Sequence, residues 1–235
     1  MARCYIAGAG EFTGGIMPMP GDFVIAADGG YSELAARGIV PDLVVGDFDS
    51  LGAVPYHPNV LRSPKEKDDT DMMLAVRQGI GRGYEQFVID GGMDGRFDHT
   101  LANLQVLAYI ARNGALGVLL GSSACVTAVT AGCVGFLPGM QAVFAPVANS
   151  RPLAAESSLH QVELAPPAYI SVFSFGGKAE GVTLTGLKYP LDNASLTCDD
   201  PIGVSNEFTD EPATVSVRSG TLLITWTGGA WRLDL

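Results

Sequence analysis

The chain has little positive charge and few cysteines. Lysine and arginine number 14 against 25 aspartates and glutamates, so the net charge of the 235 residues is −11. Binding to free nucleic acid needs basic groups that neutralise phosphates, and no nucleic acid partner is expected here. The four cysteines, Cys4, Cys125, Cys133 and Cys198, show no CxxC spacing. This usage favours reduced thiols and a cytoplasmic location.

Long unbroken apolar runs are also missing. Residues 113–150 carry no charge, but glycines and prolines interrupt them, whereas a membrane-spanning helix needs about 20 consecutive apolar residues. The short apolar pieces at 118–120 and 126–130 predict buried strands instead. Residues 1–10 lack the apolar core of a signal peptide. We therefore expect a soluble protein with no membrane partner.

Strand and helix patterns alternate through the first half of the chain. Apolar strands are predicted at residues 3–9, 23–27, 43–46 and 86–89, and helices at residues 31–37, 69–80 and 98–112. Asp68 or Asp69 is the expected N-cap of the second helix. This alternation predicts an α/β domain with a mostly parallel sheet at residues 1–145.

The second half of the chain has a different pattern. From about residue 140 onward apolar residues recur with a period of two, as in Val215 and Val217, and glycine-containing turns separate the runs. That spacing is typical of short antiparallel strands. We predict an all-β sandwich domain at residues 150–235, which follows the α/β domain.

One glycine pattern early in the chain imitates a dinucleotide-binding fingerprint. Gly8 and Gly10 follow the first strand, and Asp28 comes 20 residues after Gly8. The third glycine is missing, and the glycines and prolines of residues 14–20 disfavour the required helix. We therefore reject a Rossmann-type nucleotide site at this point.

A pair of carboxylates follows the third strand. Asp47 and Asp49 are two residues apart, so in an extended segment both point to the same side. Two adjacent carboxylates repel each other unless a cation lies between them, and Mg²⁺ commonly takes one or two carboxylates together with phosphate oxygens. The pattern indicates a magnesium–nucleotide site, with an Asp-rich turn as the structural alternative.

Four polar clusters each follow an apolar strand, and in an open α/β sheet ligands bind beyond the carboxyl ends of the strands. The clusters are Asp28-Gly29-Gly30, Asp47-Phe48-Asp49-Ser50, Lys67-Asp68-Asp69-Thr70-Asp71 and Gly95-Arg96-Phe97-Asp98-His99. We expect them to converge on one site, where Lys67 and Arg96 supply positive charge for phosphoryl transfer. Each also has a structural explanation: a turn for Asp28, a surface ion pair for Arg96 with Asp98, and a helix start for His99.

Together these motifs resemble the thiamine pyrophosphokinase family. The resemblance extends into the second half, through Gly181-Val182, Gly186-Leu187-Lys188-Tyr189-Pro190-Leu191 and Gly203-Val204-Ser205-Asn206-Glu207. It implies transfer of the pyrophosphoryl group of ATP to the hydroxyl of thiamine, giving thiamine diphosphate and AMP. It also implies Mg²⁺ and a homodimer with the active site at or near the interface, where thiamine lies between the α/β domain of one subunit and the β-domain of the other.

The resemblance assigns roles to individual residues. Asp47, Asp49 and Asp71 would hold the metal, and Asp71 or Asp98 would act on the thiamine hydroxyl. Ser205 and Asn206 would bind thiamine. ATP binding is assigned to seven other members of the clusters, which are Asp28, Ser50, Lys67, Asp68, Thr70, Arg96 and His99.

Two features of the resemblance are incomplete. Asp94 replaces a glycine of the family, and Asp tolerates positive φ better than most residues if the position requires it. The aromatic ring that would stack on thiamine is not evident, since Trp226, Trp231 and Phe208 are all candidates and core packing is expected for Trp226.

Three other functions fit parts of the pattern. A pyrophosphokinase of similar fold that acts on a pterin alcohol would share the α/β motifs, although Ser205 and Asn206 argue against it. A metal-dependent phosphohydrolase or sugar-nucleotide transferase would use Asp47 and Asp49 alone. A non-catalytic nucleotide-binding module would need no turnover at all.

Overall fold

The computed structural model describes residues 2–48, 55–62, 69–137, 141–145, 160–161, 169–209 and 211–227. The chain divides into two compact units. The first comprises Met1–Val106 and Gly117–Ser122, and the second comprises Leu107–Leu116 and Ser123–Leu235. The boundary predicted at residues 145–150 stays a prediction, and the structure groups Ser123 onward with the second unit.

The first unit is built on a parallel sheet. Its strands are β1 (Cys4–Ala7), β2 (Phe23–Ala27), β3 (Leu43–Gly46), β4 (Val60–Arg62), β5 (Gln86–Asp90) and β6 (Leu116–Leu120), in the spatial order β6-β5-β1-β2-β3-β4. The pairs from β5 through β1 to β4 are parallel. β1 and β3 are buried along their whole length, which explains their continuous apolar sequences. The predicted strands of this unit are confirmed, and β4 adds a short one.

The helices of the α/β pattern are α1 (Gly30–Ala36), α2 (Asp71–Gly81) and α3 (Phe97–Arg112). The expected N-cap of α2 at Asp68 or Asp69 is wrong. The Thr70 side-chain oxygen accepts the backbone N–H of Met73 at 3.1 Å, whereas Asp69 forms an ion pair with Arg77 at 3.1 Å. None of the helices in the described part of the chain is long and apolar enough to cross a membrane.

The order of the strands reverses at one point in this sheet. The chain runs outward from β1 through β2 and β3 to β4, and then returns to place β5 on the other side of β1. Ligands of open α/β sheets bind beyond the carboxyl ends of the strands at such a reversal. The carboxyl ends of β1 and β5 therefore mark the expected binding edge.

The second unit is an antiparallel β structure. Its strands are β7 (Ala124–Thr130), β8 (Cys133–Leu137), β9 (Gln141–Ala145), β10 (His160–Gln161), β11 (Tyr169–Ser174), β12 (Ala179–Thr185), β13 (Leu191–Leu196), β14 (Asn206–Glu207), β15 (Ala213–Ser216) and β16 (Thr221–Thr227). One sheet contains the order β14-β11-β16-β7, and the other has the order β10-β9-β8-β15-β12-β13.

The two sheets of this unit pack against each other through aromatic rings. Phe136 of β8 meets Trp226 of β16 edge to face, with ring centroids 5.5 Å apart. Trp226 is 2% exposed, which confirms its expected place in the core. The predicted β-sandwich is therefore confirmed.

Candidate active site

Asp28 and Asp47 follow neighbouring strands at the carboxyl edge of the sheet. The N–H of Asp28 donates to the carbonyl oxygen of Val45 at 2.8 Å, and Asp28 has a φ of +48°. A Cβ at Gly46 would lie 3.2 Å from the Asp28 Cα, so only glycine fits this close crossing without displacement. Both aspartates are half-buried. The crossing holds the backbone of Asp28 directly beside the segment that leads into Asp47.

Asp71 is the first residue of α2 and is half-buried. Thr70, predicted to contact ATP, uses its side-chain oxygen to cap the helix. The other predicted members of these two clusters, Asp49, Ser50, Lys67 and Asp68, lie outside the described residues.

The donor set of the predicted metal site suits Mg²⁺, because Asp47, Asp49 and Asp71 would supply only carboxylate oxygens. Among the described residues no three His, Cys, Asp or Glu side chains form a metal-binding group. Asp49 is outside that set, so the complete trio stays a prediction.

The loops after β1 and β5 cross backbone to backbone. The Gly8 N–H donates to the carbonyl oxygen of Asp90 at 2.7 Å, and the Gly10 N–H donates to the carbonyl oxygen of Gly91 at 2.8 Å. A Cβ at Gly8 would lie 2.4 Å from the Gly91 oxygen. The Gly8–Gly10 pair is therefore explained by this close approach, and no helix follows it within residues 8–22, as its rejection as a dinucleotide fingerprint requires.

Asp94 lies in the loop that leads from β5 to α3. Its φ is +60°, so the position does demand the left-handed conformation that Asp tolerates. Its Oδ2 also accepts the backbone N–H of Ser122 at 2.6 Å. The carboxylate thus fastens this loop to the segment after β6, a contact that a glycine at this position could not make.

Arg96 and Asp98 form a two-point ion pair at the start of α3. Arg96 Nη2 lies 2.7 Å from Asp98 Oδ2, and Arg96 Nε lies 3.2 Å from Oδ1. Both side chains are mostly exposed, so the pair contributes little to stability. The hydrogen bond from Arg96 lowers the pKa of the Asp98 carboxyl below its usual value, and Asp98 raises the pKa of Arg96. His99 is exposed, and its backbone N–H donates to Asp98 Oδ1 at 3.1 Å.

Replacing Arg96 with methionine should raise the pKa of Asp98 toward its ordinary value, because the guanidinium that stabilises the carboxylate is removed. In the unmodified chain the ion pair is complete above that ordinary value and is lost as the pH falls through the lowered pKa. Carbon-detected NMR titration of the Asp98 carboxyl measures the shift. Arg82→Met is the matched control, since the Arg82 side chain bonds Gln78 and not Asp98. Equal Asp98 pKa values in the unmodified protein and both variants would contradict the Arg96–Asp98 ion pair.

Asp90, at the end of β5, is a functional candidate that the sequence motifs did not identify. It is fully buried, and its carboxylate accepts five hydrogen bonds. The donors are Thr13 N–H (2.9 Å), Thr13 Oγ1 (3.1 Å), Gly14 N–H (3.0 Å), Gly15 N–H (2.9 Å) and Gly91 N–H (2.9 Å). One sequence signal could have identified Asp90: it is an acidic residue at the end of an apolar strand. A carboxylate buried there needs several hydrogen-bond donors from elsewhere in the chain.

The two predicted thiamine residues lie in the second unit and differ in exposure. Asn206 is 5% exposed. Its Nδ2 donates to the Tyr189 carbonyl at 2.7 Å, and its Oδ1 accepts the N–H groups of Tyr189 and Glu207, both at 2.9 Å. Ser205 is exposed, has a φ of +58°, and donates its N–H to Ser171 Oγ at 3.0 Å. Asn206 thus shapes the loop, and the hydroxyl of Ser205 is the one presented to solvent.

The aromatic candidates for stacking on thiamine pack elsewhere or lie outside the described residues. Phe208 packs against Phe136, with ring centroids 5.3 Å apart, and Trp226 is in the core. Trp231 is outside the described residues. Tyr189 is an aromatic residue that is 58% exposed. Its backbone bonds the side chain of Asn206, the residue that directly follows Ser205.

Comparisons with known proteins match both halves of the chain. The family description "Thiamin pyrophosphokinase, catalytic domain" matches residues 20–118, and "Thiamin pyrophosphokinase, vitamin B1 binding domain" matches residues 159–222. Thiamine pyrophosphokinase of Bacillus subtilis (strain 168) is 28% identical over 217 residues, which cover 85% of each chain. Thiamin pyrophosphokinase 1 of Caenorhabditis elegans is 26% identical over 211 residues, 85% of this chain and 76% of that one.

Solved structures have the same fold. The crystal structure of the Bacillus subtilis thiamine pyrophosphokinase superposes with a TM-score of 0.74 at 24% identity and covers 97% of this chain and 99% of that chain. Thiamin pyrophosphokinase from Candida albicans gives a TM-score of 0.68 at 13% identity, with 97% and 89% covered. The two domain matches lie in the same order as the two units and together span more than half of the sequence. The chain belongs to the thiamin pyrophosphokinase family.

Proposed function

We propose that this chain is a thiamine diphosphokinase, which transfers the pyrophosphoryl group of ATP to the hydroxyl of thiamine and releases AMP. The observation that carries the proposal is the presence of both domains of one thiamine enzyme family in a single chain. The vitamin B1 binding match at residues 159–222 supports thiamine as the acceptor, and the pterin alcohol has no comparable support. The net charge of −11 favours a cationic acceptor such as thiamine.

The reaction forms one bond and breaks another at the β-phosphorus of ATP. The thiamine hydroxyl oxygen bonds to this phosphorus, and the bond from the phosphorus to the oxygen of AMP breaks. The hydroxyl proton passes to a carboxylate. Asp47, Asp49 and Asp71 would hold Mg²⁺, which when bound neutralises charge on the phosphate oxygens.

The remaining cluster residues have binding and orienting roles in this proposal. Arg96 and Lys67 attract the phosphates, with Asp28, Ser50, Asp68, Thr70 and His99 as the further residues assigned to ATP. Asp98 bonds Arg96 at two points, and we assign to it the orientation of the guanidinium. We assign proton removal to one of two carboxylates, Asp71 or Asp98.

Thiamine binding is assigned to Ser205 and Asn206. Asn206 fixes the backbone of Tyr189 and Glu207, and the hydroxyl of the exposed Ser205 would bond the substrate. The left-handed backbone at Ser205 supports this role, since such strain is common at ligand-binding positions.

The assembly and location are also proposed. We propose a homodimer, measurable by light scattering after gel filtration. A cytoplasmic location is supported by the cysteines, all four of which lie in the described part of the chain and show no disulfide.

The decisive experiment is an AMP-release assay with ATP, Mg²⁺ and purified protein, with and without thiamine. One AMP per thiamine diphosphate is the expected stoichiometry. The proposal would be overturned if AMP release were equal with and without thiamine, or if a folded sample released no AMP. A parallel reaction with a pterin alcohol tests the alternative acceptor directly.

Ser205→Ala should raise the KM for thiamine about tenfold, because one hydrogen bond to a charged substrate contributes about 1.5 kcal/mol. The KM for ATP should not change. Ser195→Ala is the matched control, since Ser195 is an exposed serine on β13 of the same unit. A change in the KM for ATP alone would contradict the assignment of Ser205 to the thiamine site.

A further inference from the structure

Three successive residues direct their backbone N–H groups at one carboxylate. Thr13, Gly14 and Gly15 all donate to Asp90, at distances of 2.9 to 3.0 Å. Successive N–H groups around one point form an anion-binding concavity of the kind that holds phosphate in many proteins. In this chain an internal carboxylate fills the concavity.

The segment that carries these N–H groups is packed down on the sheet. A Cβ at Gly15 would lie 2.1 Å from Leu120 Cδ1, and Ile16 is 3% exposed. Thr13 adds its hydroxyl to Asp90 at 3.1 Å. The loop after β1 is therefore fixed by side-chain packing on one side and by a buried anion on the other.

The position of this contact is the edge where ATP is proposed to bind. Asp90 ends β5, and its neighbour Gly91 crosses the loop after β1 at the reversal of strand order. A phosphate group entering here would meet a glycine-rich loop whose N–H groups are already bonded. The phosphates of ATP would therefore bind at the second glycine-rich loop, residues 91–95, and at Arg96.

We infer that Asp90 is a positioning residue for ATP: as an internal anion it occupies the Thr13–Gly15 concavity, excludes phosphate from it and holds this loop across the ends of β1 and β5. The inference rests on the proposed function for the identity of the nucleotide. It concerns a residue outside the predicted clusters and a loop that contributes no catalytic side chain.

The test uses Asp90→Ala and Asp90→Asn in the full chain. Asp22→Ala is the matched control, because Asp22 fastens the other end of the same segment, accepting Met19 N–H at 2.9 Å and Arg3 N–H at 2.7 Å. It does so where β1 and β2 begin, at the opposite edge of the sheet. All four proteins are compared by thermal unfolding, KM for ATP, KM for thiamine and inhibition by inorganic phosphate.

Both Asp90 variants should raise the KM for ATP at least about tenfold and leave the KM for thiamine within about twofold. Inorganic phosphate should compete with ATP more strongly in Asp90→Ala than in the unmodified protein, because the vacated concavity can take an anion. Added formate should restore the KM for ATP in Asp90→Ala by replacing the missing carboxylate. Asp22→Ala should lower thermal stability without these changes.

An unchanged KM for ATP in Asp90→Asn, which preserves the side-chain volume, would overturn the inference, as would formate that restores nothing in Asp90→Ala. Calorimetric binding of a non-hydrolysable ATP analogue separates this result from the proposed function. Weaker analogue binding in both Asp90 variants supports the inference even if no thiamine-dependent AMP appears, and equal binding in all proteins overturns it even if AMP does appear.

Discussion

Asp71→Asn should lower the rate of thiamine-dependent AMP release about a thousandfold, and Asp47→Asn should do the same. Each change removes a carboxylate that would hold the metal, and Asp71→Asn also removes one of the two candidate proton acceptors. Metal-assisted charge stabilisation at phosphorus contributes several kcal/mol, and about 1.4 kcal/mol corresponds to a tenfold change in rate. The measurement is single-turnover AMP formation at saturating ATP, thiamine and Mg²⁺.

The fold should survive the Asp71→Asn change. α2 keeps its Thr70 cap, and the lost interaction with the helix dipole is worth only about 0.3–1 kcal/mol. Asp69→Asn is the matched control two residues earlier, because in the described contacts Asp69 forms only a partly exposed ion pair with Arg77. Near-normal rates in Asp47→Asn and Asp71→Asn would refute the metal-site assignment, as would an equal loss in Asp69→Asn.

Gly30→Ala should destabilise the first unit by about 3 kcal/mol, the upper range for forcing a group into a packed site. A Cβ at Gly30 would lie 2.1 Å from the carbonyl oxygen of Ala7, which is backbone and cannot turn aside. α1 must then shift away from the end of β1. At this chain length the melting temperature should fall by about 6–12 °C, measured by calorimetry, and Asp28 should move with the helix start.

Gly81→Ala provides the opposite expectation in the same unit. Gly81 is the last residue of α2, and a Cβ there meets nothing within 4 Å. Alanine should stabilise the helix by up to about 1 kcal/mol. If Gly30→Ala proved as harmless as Gly81→Ala, the close packing of α1 on β1 would be refuted.

The strands and helices could be predicted because their signals are local. Five strands of the first sheet, all except β4, and the helices α1 to α3 follow from apolar runs and periodicity, and the antiparallel pattern predicted the sandwich. β4 has only three residues, too few for a periodicity. The cap of α2 was misassigned because three polar residues in succession, Asp68, Asp69 and Thr70, are all suitable caps. Which of them caps depends on where the first turn begins.

The candidate site could be predicted only as far as its residues belong to motifs. Asp28, Asp47 and Asp71 follow apolar strands or begin a helix, so their positions were readable from the sequence. The role of Asp90 was not, since its partners Thr13, Gly14 and Gly15 are about 75 residues away in the chain. The different roles of Asn206 and Ser205 could not be predicted either. They depend on the Asn206 side chain, which bonds the backbone of Tyr189.

The contact between Asp90 and Thr13 also has a consequence for the order of folding. β1 can meet β2 once a short segment has closed, but Cys4 of β1 pairs with Phe87 of β5, which lies 83 residues later in the chain. Closing long loops costs entropy before the native contacts form, so such pairings are slow. A folding intermediate with β1 to β4 in place would hold the Thr13–Gly15 loop without its anion. We therefore expect ATP affinity to appear in the last phase of folding of this unit, when β5 docks.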